Sequence, residues 1–203
     1  MTRIIDTVAL SDGATGGQTG TVAEPSLACS GRRLMVAGNW FASRSTDAGA
    51  TWTFLNPFSE FPAGPGSFCC DQLLTYVRSH RIWVWLLQYT AQGSGNIVRL
   101  AVSSTGAAGT WTWWDTAPVD VMATWDGWWF DYPDMYASDD HLLLSFNLYG
   151  VNDNRWKRAC VLRFPLDELK ARDALSREAW STDQVGSLAA LGLGASSSST
   201  ISS

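Results

Sequence analysis

Short apolar runs separated by turn-forming residues dominate the chain. Typical runs cover residues 34–37, 82–87 and 142–146, and Gly, Ser, Asp or His residues bound them. Aliphatic and aromatic runs of this length are typical of β-strands and are too short for independent helices. Between Pro165 and Trp180, leucines and charged residues recur at a spacing that indicates one short C-terminal helix. The pattern therefore predicts an all-β fold with one short helix near its end.

The predicted strands recur in three units, which begin near residues 24, 71 and 131. In each unit an acid opens one strand and an amide residue ends the next, at separations of 15, 17 and 16 positions. Because antiparallel pairing brings those two strand ends to one edge of a sheet, we expect each acid to lie beside its amide. The acids are Glu24, Asp71 and Asp131, and the amides are Asn39, Gln88 and Asn147.

An eight-residue segment also repeats along the chain. Residues 45–52 and 104–111 align without gaps at an offset of 59 positions, and five of the eight residues are identical. Small sheets repeated at about this interval are typical of a β-propeller, whose four-stranded blades surround a central channel. The alternative is a β-sandwich, which would not require an acid at the same point of every unit. The repeats place one domain at residues 1–180, followed by a Ser-rich segment, 181–203, that we expect to be disordered.

The first copy of the segment has the residues of a stabilising turn. The carboxylate of Asp47 can accept hydrogen bonds from N–H groups of its own turn, and Gly49 can adopt backbone conformations that other residues resist. Thr51 then enters a strand, and Trp52 is large enough to fill the space between sheets. We therefore expect a structural role for Asp47.

These residues resemble the Asp-box, or BNR repeat, of the sialidase-like β-propellers. Ser45, Asp47, Gly49, Thr51 and Trp52 match all five specified positions of its Ser-x-Asp-x-Gly-x-Thr-Trp pattern, whereas the second copy lacks the aspartate. The resemblance implies about three blades of a partial, open propeller. It also implies that the box turns lie on the outer side of the blades and that ligands bind at the opposite, central mouth. Relatives of this type are often secreted.

The sequence departs from the active site of a sialidase. Those enzymes use three arginines, a Tyr/Glu nucleophile pair and an aspartic acid, but no arginine starts a unit here. Residues 163–165 read Arg-Phe-Pro and loosely resemble the Arg-Ile-Pro motif of the family, but they lie in the third unit. We therefore expect binding of a carbohydrate or another polar ligand. The alternative is a glycoside hydrolase that uses Asp71 and Asp131 as its two carboxyl groups.

The expected ligand site is the mouth at which the acids and amides meet. Three aromatic residues follow the amides and are suited to stacking on sugar rings, and the Trp-rich segment 125–129 is expected to form a loop over the mouth. A pocket for sugar hydroxyls, a cation held by carboxylates and amide oxygens, and simple capping of strand ends all stay open. The ligand-binding candidates are Glu24, Asn39, Trp40, Asp71, Gln88, Tyr89, Asp131, Asn147 and Tyr149.

Composition narrows the range of partners. The chain has 14 Lys and Arg against 19 Asp and Glu, a net charge of −5, which disfavours binding to nucleic-acid phosphates. No apolar run is long enough for a membrane span, and residues 1–6 lack the apolar core of a signal peptide. No metal site or cofactor is expected beyond a possible cation at the mouth, since His80 and His141 lie far from any cysteine spacing typical of zinc.

Two further expectations concern the cysteines and the open edges. Adjacent Cys69 and Cys70 could form a vicinal disulfide, pair with Cys29 and Cys160, or act with them as small buried apolar residues. The third unit has a helix where a fourth strand would be expected. Three blades do not close a ring, so we expect unpaired edges that favour self-association. Residues 3–9 could form the outer strand of a missing last blade.

Overall fold

The computed structural model describes residues 16, 24–106 and 109–186, and within these ranges the fold is all-β. The described strands form three four-stranded antiparallel sheets, and the strands of each sheet follow one another in chain order. The predicted all-β class is therefore confirmed, whereas the propeller type stays a prediction. The strand expected at residues 3–9 and most of the Ser-rich segment lie outside the described residues.

The three sheets correspond to the three predicted units. Sheet one contains β1 (Ser26–Ser30), β2 (Arg33–Ala37), β3 (Ala42–Ser45) and β4 (Thr53–Leu55). Sheet two contains β5 (Phe68–Val77), β6 (Ile82–Tyr89), β7 (Val98–Ser103) and β8 (Thr112–Thr116). Sheet three contains β9 (Trp128–Ala137), β10 (His141–Gly150), β11 (Trp156–Pro165) and β12 (Glu178–Thr182). Two short helices, α1 (Pro118–Val121) and α2 (Leu166–Ala171), and a 3₁₀ turn at Ala123–Trp125 complete the described elements.

The predicted C-terminal helix is present but shorter than expected. Helix α2 ends where Arg172 adopts a left-handed conformation with φ of 60°, and buried Leu166 and Leu169 anchor it. The prediction that this helix replaces the fourth strand of the third unit is wrong. Strand β12 follows the helix and pairs with β11. Strand β12 ends at Thr182, two residues beyond the predicted domain boundary. Neither described helix has the length and apolar character needed to cross a membrane.

Sheet two is the centre of the described fold, because its two middle strands are buried on both faces. Every residue of β6 is buried. Trp83, Trp85 and Leu87 pack with residues of sheet one, whereas Val84 and Leu86 pack with residues of sheet three. Full burial of one such side chain contributes roughly 1.5–3 kcal/mol. The uninterrupted apolar run at 82–87 thus reflects a strand that has no solvent-facing side.

The first strands of consecutive sheets lie against each other, β1 against β5 and β5 against β9. The Ser26 hydroxyl accepts a hydrogen bond from the Leu74 N–H at 2.8 Å, which joins sheets one and two. The Asn96 side chain joins sheets two and three, since it donates to the Phe130 carbonyl at 2.9 Å and accepts from the Phe130 N–H at 2.8 Å. In the described part of the chain the three sheets do not close into a ring. Self-association through the open edges stays a prediction.

The turn after β3 is held by side chains of the predicted box. The Ser45 hydroxyl donates to Asp47 Oδ1 at 2.7 Å and accepts from the Gly49 N–H at 2.9 Å. Asp47 accepts from both the Thr51 N–H at 2.9 Å and the Thr51 hydroxyl at 2.6 Å. The two Thr51 bonds, with that from Ser45, lower the pKa of Asp47 to about 2. The contacts of Asp47 are therefore those expected of a residue that stabilises its own turn.

The second copy of the box is shifted by one residue from its sequence alignment. Ser103, the last residue of β7, accepts a bond from the Thr105 N–H, as Ser45 at the end of β3 accepts from the Asp47 N–H. Ser103 thus takes the position that the gapless alignment assigns to Ser104. Without the carboxylate, the Ser103 hydroxyl donates to the Gly106 carbonyl instead, at 3.1 Å. In sheet three, α2 occupies the equivalent position between β11 and β12.

We expect Asp47→Ala to lower the melting temperature by a few degrees at neutral pH, because it removes the acceptor of both Thr51 bonds. Because the pKa of Asp47 is lowered in the folded state, its contribution to the stability of the fold is present above pH 4. This contribution is lost as the pH falls towards 2. Thermal unfolding of the variant and of the matched surface variant Asp139→Ala, from pH 2 to pH 7, measures this. Equal melting temperatures for the two variants at pH 7 would contradict the assignment.

Candidate functional site

Three carboxyl side chains, one from each repeat unit, come together and form the carboxylate cluster: Glu24 just before β1, Asp71 in β5 and Asp131 in β9. Asp71 lies close to Glu24 and within electrostatic range of Asp131. The convergence of the acids follows from contact between the first strands. The acids do not open those strands as expected, because β5 and β9 each begin three residues earlier.

The carboxyl group of Asp71 has a perturbed pKa. Burial is the main cause that raises its pKa, to about 6, and the negative charges of Glu24 and Asp131 raise it further. A carboxyl group in this environment retains its proton at mildly acidic pH and loses it at neutral pH. Asp71 can therefore donate or accept a hydrogen bond, depending on pH.

Two buried amides contact the cluster through their nitrogen atoms. Asn39 donates to Glu24 Oε2 at 3.0 Å, and Gln88 donates to Asp131 Oδ1 at 3.3 Å. Asn39 and Gln88 are 6% and 2% exposed, and the amide oxygen of each has no hydrogen-bond partner. A buried acceptor without a partner is costly, so two such oxygens beside an acidic cluster point to a missing donor.

The predicted pairing of acid and amide within each unit is correct in two units and wrong in one. Asn39 binds the acid of its own unit, and Asn147 is the cross-strand partner of Asp131. Gln88, by contrast, binds Asp131 of the following unit rather than Asp71. The Asn147 oxygen accepts a bond from the Trp156 indole at 3.2 Å, which gives that amide a partner in the sheet.

A bulge in β5 explains why Asp71 and Gln88 do not pair. The register between β5 and β6 shifts between Phe68 and Gln72, so that three residues of β5 face Gln88 alone. Two of the three, Cys69 and Cys70, are joined in a vicinal disulfide. Of the three alternatives that the sequence left open, the structure thus has the vicinal bond, immediately before Asp71.

A second bulge lies beside Asp131. The register between β9 and β10 shifts between Ser145 and Asn147, opposite Tyr132 and Pro133. Tyr132 has φ of 52°, a conformation that bulky residues rarely adopt, and its side chain is 64% exposed. Conformations of this kind concentrate at functional sites. Tyr132 was not among the predicted ligand-binding residues, and only its neighbours Asp131 and Pro133 hint at the bulge in the sequence.

Two of the predicted aromatic contacts must be corrected. Tyr89 is not a stacking surface for a sugar, because its ring is buried and its hydroxyl accepts a bond from Arg99 at 2.8 Å. Trp125 is also buried, in the core with its ring stacked on Trp128, rather than in a loop over the mouth.

The remaining aromatic candidates are only partly buried. Tyr149 is half-buried, and its ring packs against Trp129 with centroids 5.5 Å apart. Trp40 is half-buried in the turn that follows Asn39. These two rings and Tyr132 are therefore partly accessible aromatic side chains close in sequence to the cluster or its amides, as is Trp129.

The cluster carries negative charge without a cationic partner. None of the ion pairs in the described ranges includes Glu24, Asp71 or Asp131. Buried Arg99 instead forms an ion pair with Asp115, to which two of its nitrogens donate hydrogen bonds at 2.7 Å. Within the same ranges, no three His, Cys, Asp or Glu side chains are arranged to hold a metal ion. The cluster is thus a set of acceptors open to a donor from outside the protein.

Comparison with known proteins adds no family to this description. No protein-family model matches the chain, and no curated protein sequence matches it significantly. The functional argument therefore depends on the geometry and charge of the carboxylate cluster.

We expect Asp71→Asn to stabilise the fold at neutral pH by about 1–2 kcal/mol, less than the full pKa shift implies, because the carboxyl is only half-buried and water screens it. Because the pKa of Asp71 is raised, the wild type loses stability as the pH rises from about 4 to 6. The variant has an uncharged side chain at position 71 and does not lose this stability. Thermal unfolding from pH 3.5 to pH 8 measures the difference. The stability gain should disappear below pH 4, and a variant that is less stable than wild type at pH 8 would contradict the shift.

Proposed function

We propose that the chain is a ligand-binding domain of the sialidase-like, Asp-box β-propeller type, which binds a carbohydrate or another small polar ligand at the carboxylate cluster. Three consecutive four-stranded sheets with their first strands in contact support this architecture, as does the hydrogen-bonded turn at Asp47. Blades of a propeller pack in the same manner around a central channel. The proposed ligand site lies where those first strands meet.

The convergence of Glu24, Asp71 and Asp131 is the observation that carries this proposal. Burying part of a carboxylate among like charges is unfavourable, as the raised pKa of Asp71 reflects. Groups of this kind concentrate at functional sites, because a ligand that supplies donors can offset the cost. Unpartnered oxygens on Asn39 and Gln88 add two further acceptors next to the acids.

The charge of the site argues against an anionic sugar such as sialic acid. Its carboxylate would approach three acidic side chains, and none of the described ion pairs places an arginine beside them. Like charges brought together in a partly buried site repel strongly. The proposed ligand is therefore neutral or cationic, in contrast to the substrate of the family that the box resembles.

An array of immobilised neutral, basic and sialylated glycans, probed with the labelled chain, tests the proposal. We expect binding to neutral or basic glycans and none to the sialylated set. In a titration with the best glycan, Asp71→Asn should weaken binding at least tenfold, because it removes an acceptor and a charge.

Two control variants distinguish a specific loss of ligand binding from a general effect of net charge or of stability. Asp139→Asn changes the net charge by the same amount on an exposed turn, and Asp47→Ala alters only the turn after β3, so both should bind as the wild type does. Retained affinity in Asp71→Asn, or preferential binding to sialylated glycans, would refute the proposed site.

Glycoside hydrolysis is the second candidate, and the pKa of Asp71 is the observation that favours it. A carboxyl group with a pKa near 6 can act as a general acid, with Asp131 as the second carboxyl group. Hydrolysis of aryl glycosides should then fall as the pH rises above 6, and Asp71→Asn should reduce the rate about 100-fold or more. Activity that is equal in Asp71→Asn and Asp139→Asn would exclude this mechanism.

A further inference from the structure

We propose that the ligand of the carboxylate cluster carries a primary ammonium group, as an amino sugar does; this inference rests on the proposed ligand-binding function and specifies its ligand class. An ammonium group brings one positive charge and three N–H donors, all on one atom. The cluster offers the complementary set, negative charge and acceptors.

The balance of charge is the first argument. Glu24, Asp71 and Asp131 come from the chain before β1, from β5 and from β9, and they are the charged groups that act on one another at this place. The two other polar side chains that contact them, Asn39 and Gln88, are neutral. A neutral sugar would leave the mutual repulsion of the carboxylates in place, whereas an ammonium ion would offset it.

The arrangement of the amides is the second, independent argument. Each amide directs its NH₂ group to a carboxylate, and the opposite assignment would place two oxygens against each other. The oxygens of Asn39 and Gln88 are therefore fixed as buried acceptors, and neither has a partner. Among the described residues, both unsatisfied groups on these amides thus require a donor, and a ligand rich in acceptors would satisfy neither of them.

The surroundings favour an ammonium group carried on a sugar. Tyr132 directly follows Asp131 and exposes its ring in a strained backbone conformation. Half-buried Trp40 directly follows Asn39. Aromatic rings next to polar groups are suited to the apolar faces of sugar rings, and they also attract cations.

Protonation of Asp71 should compete with the ligand. The cluster binds a cation best when Asp71 is ionised, so the affinity should fall as the pH drops through about 6. If binding requires the ionised form, a pKa of about 6 makes the dissociation constant about tenfold larger at pH 5 than at pH 7. A neutral sugar gains nothing from the charge of Asp71, so its affinity should depend less on pH.

Calorimetric titration with short glucosamine oligomers, and with N-acetylated oligomers of the same lengths, tests the ligand class. The two series differ in the ammonium group, which acetylation converts to a neutral amide. We expect glucosamine oligomers to bind at least tenfold more tightly at pH 7, with about a tenfold loss at pH 5. Asp71→Asn should reduce the preference and abolish the pH dependence, and Asp139→Asn should retain both.

The outcomes distinguish this inference from the proposed function. Equal affinity for the two series, lost in Asp71→Asn, would overturn the ammonium ligand and leave the polar-ligand site standing. Binding of calcium ions that Asp71→Asn abolishes, with no binding of the glucosamine series, would also overturn it. Absence of binding to either series, together with no glycan bound on the array, would remove the proposed function itself.

Discussion

Burial of sheet two on both faces is the constraint on which the rest of the described structure depends. β6 has no solvent-facing residue, so sheets one and three must both pack against the sheet that contains it. Once they do, the first strands of the three sheets come side by side, and Glu24 just before β1, Asp71 in β5 and Asp131 in β9 are brought to one place. The large aromatic content of the chain serves this packing, since Trp83 and Trp85 fill the space on the side of sheet one. The site is therefore a product of the core rather than of a separate loop.

The sequence was a good guide where one strong local signal sufficed. Apolar runs bounded by turn residues identified the strands, and the Ser-x-Asp-x-Gly-x-Thr-Trp pattern identified a turn whose bonds close within seven residues. The recurrence of an acid in each unit located the carboxylate cluster, because the register of one unit is nearly repeated in the next. These features depend on residues close in sequence or on a repeat, and both can be recognised in a sequence.

The sequence was a poor guide where backbone irregularity or three-dimensional packing decided the outcome. The bulge at residues 69–71 redirects Gln88 to the next sheet, and nothing in the spacing of 17 positions reveals it. Tyr89 resembles an accessible aromatic residue in the sequence, but its hydroxyl accepts a hydrogen bond from Arg99, ten positions later. The fourth strand of sheet three was not predicted for a similar reason. The left-handed conformation of Arg172 ends α2 early and leaves enough chain to form β12. Each of these outcomes requires knowledge of a contact that no local pattern contains.

The vicinal disulfide has a consequence that differs from that of an ordinary cross-link. A disulfide usually stabilises a protein by reducing the chain entropy of the unfolded state, to an extent that grows with the loop it closes. Cys69 and Cys70 are adjacent, so their bond closes no loop and leaves the freedom of the unfolded chain almost unchanged. Its effect is confined to the bulge, where it makes a short stretch of backbone stiffer directly before Asp71. The bond thus gives local rigidity at one carboxylate without adding to the cohesion of the whole domain.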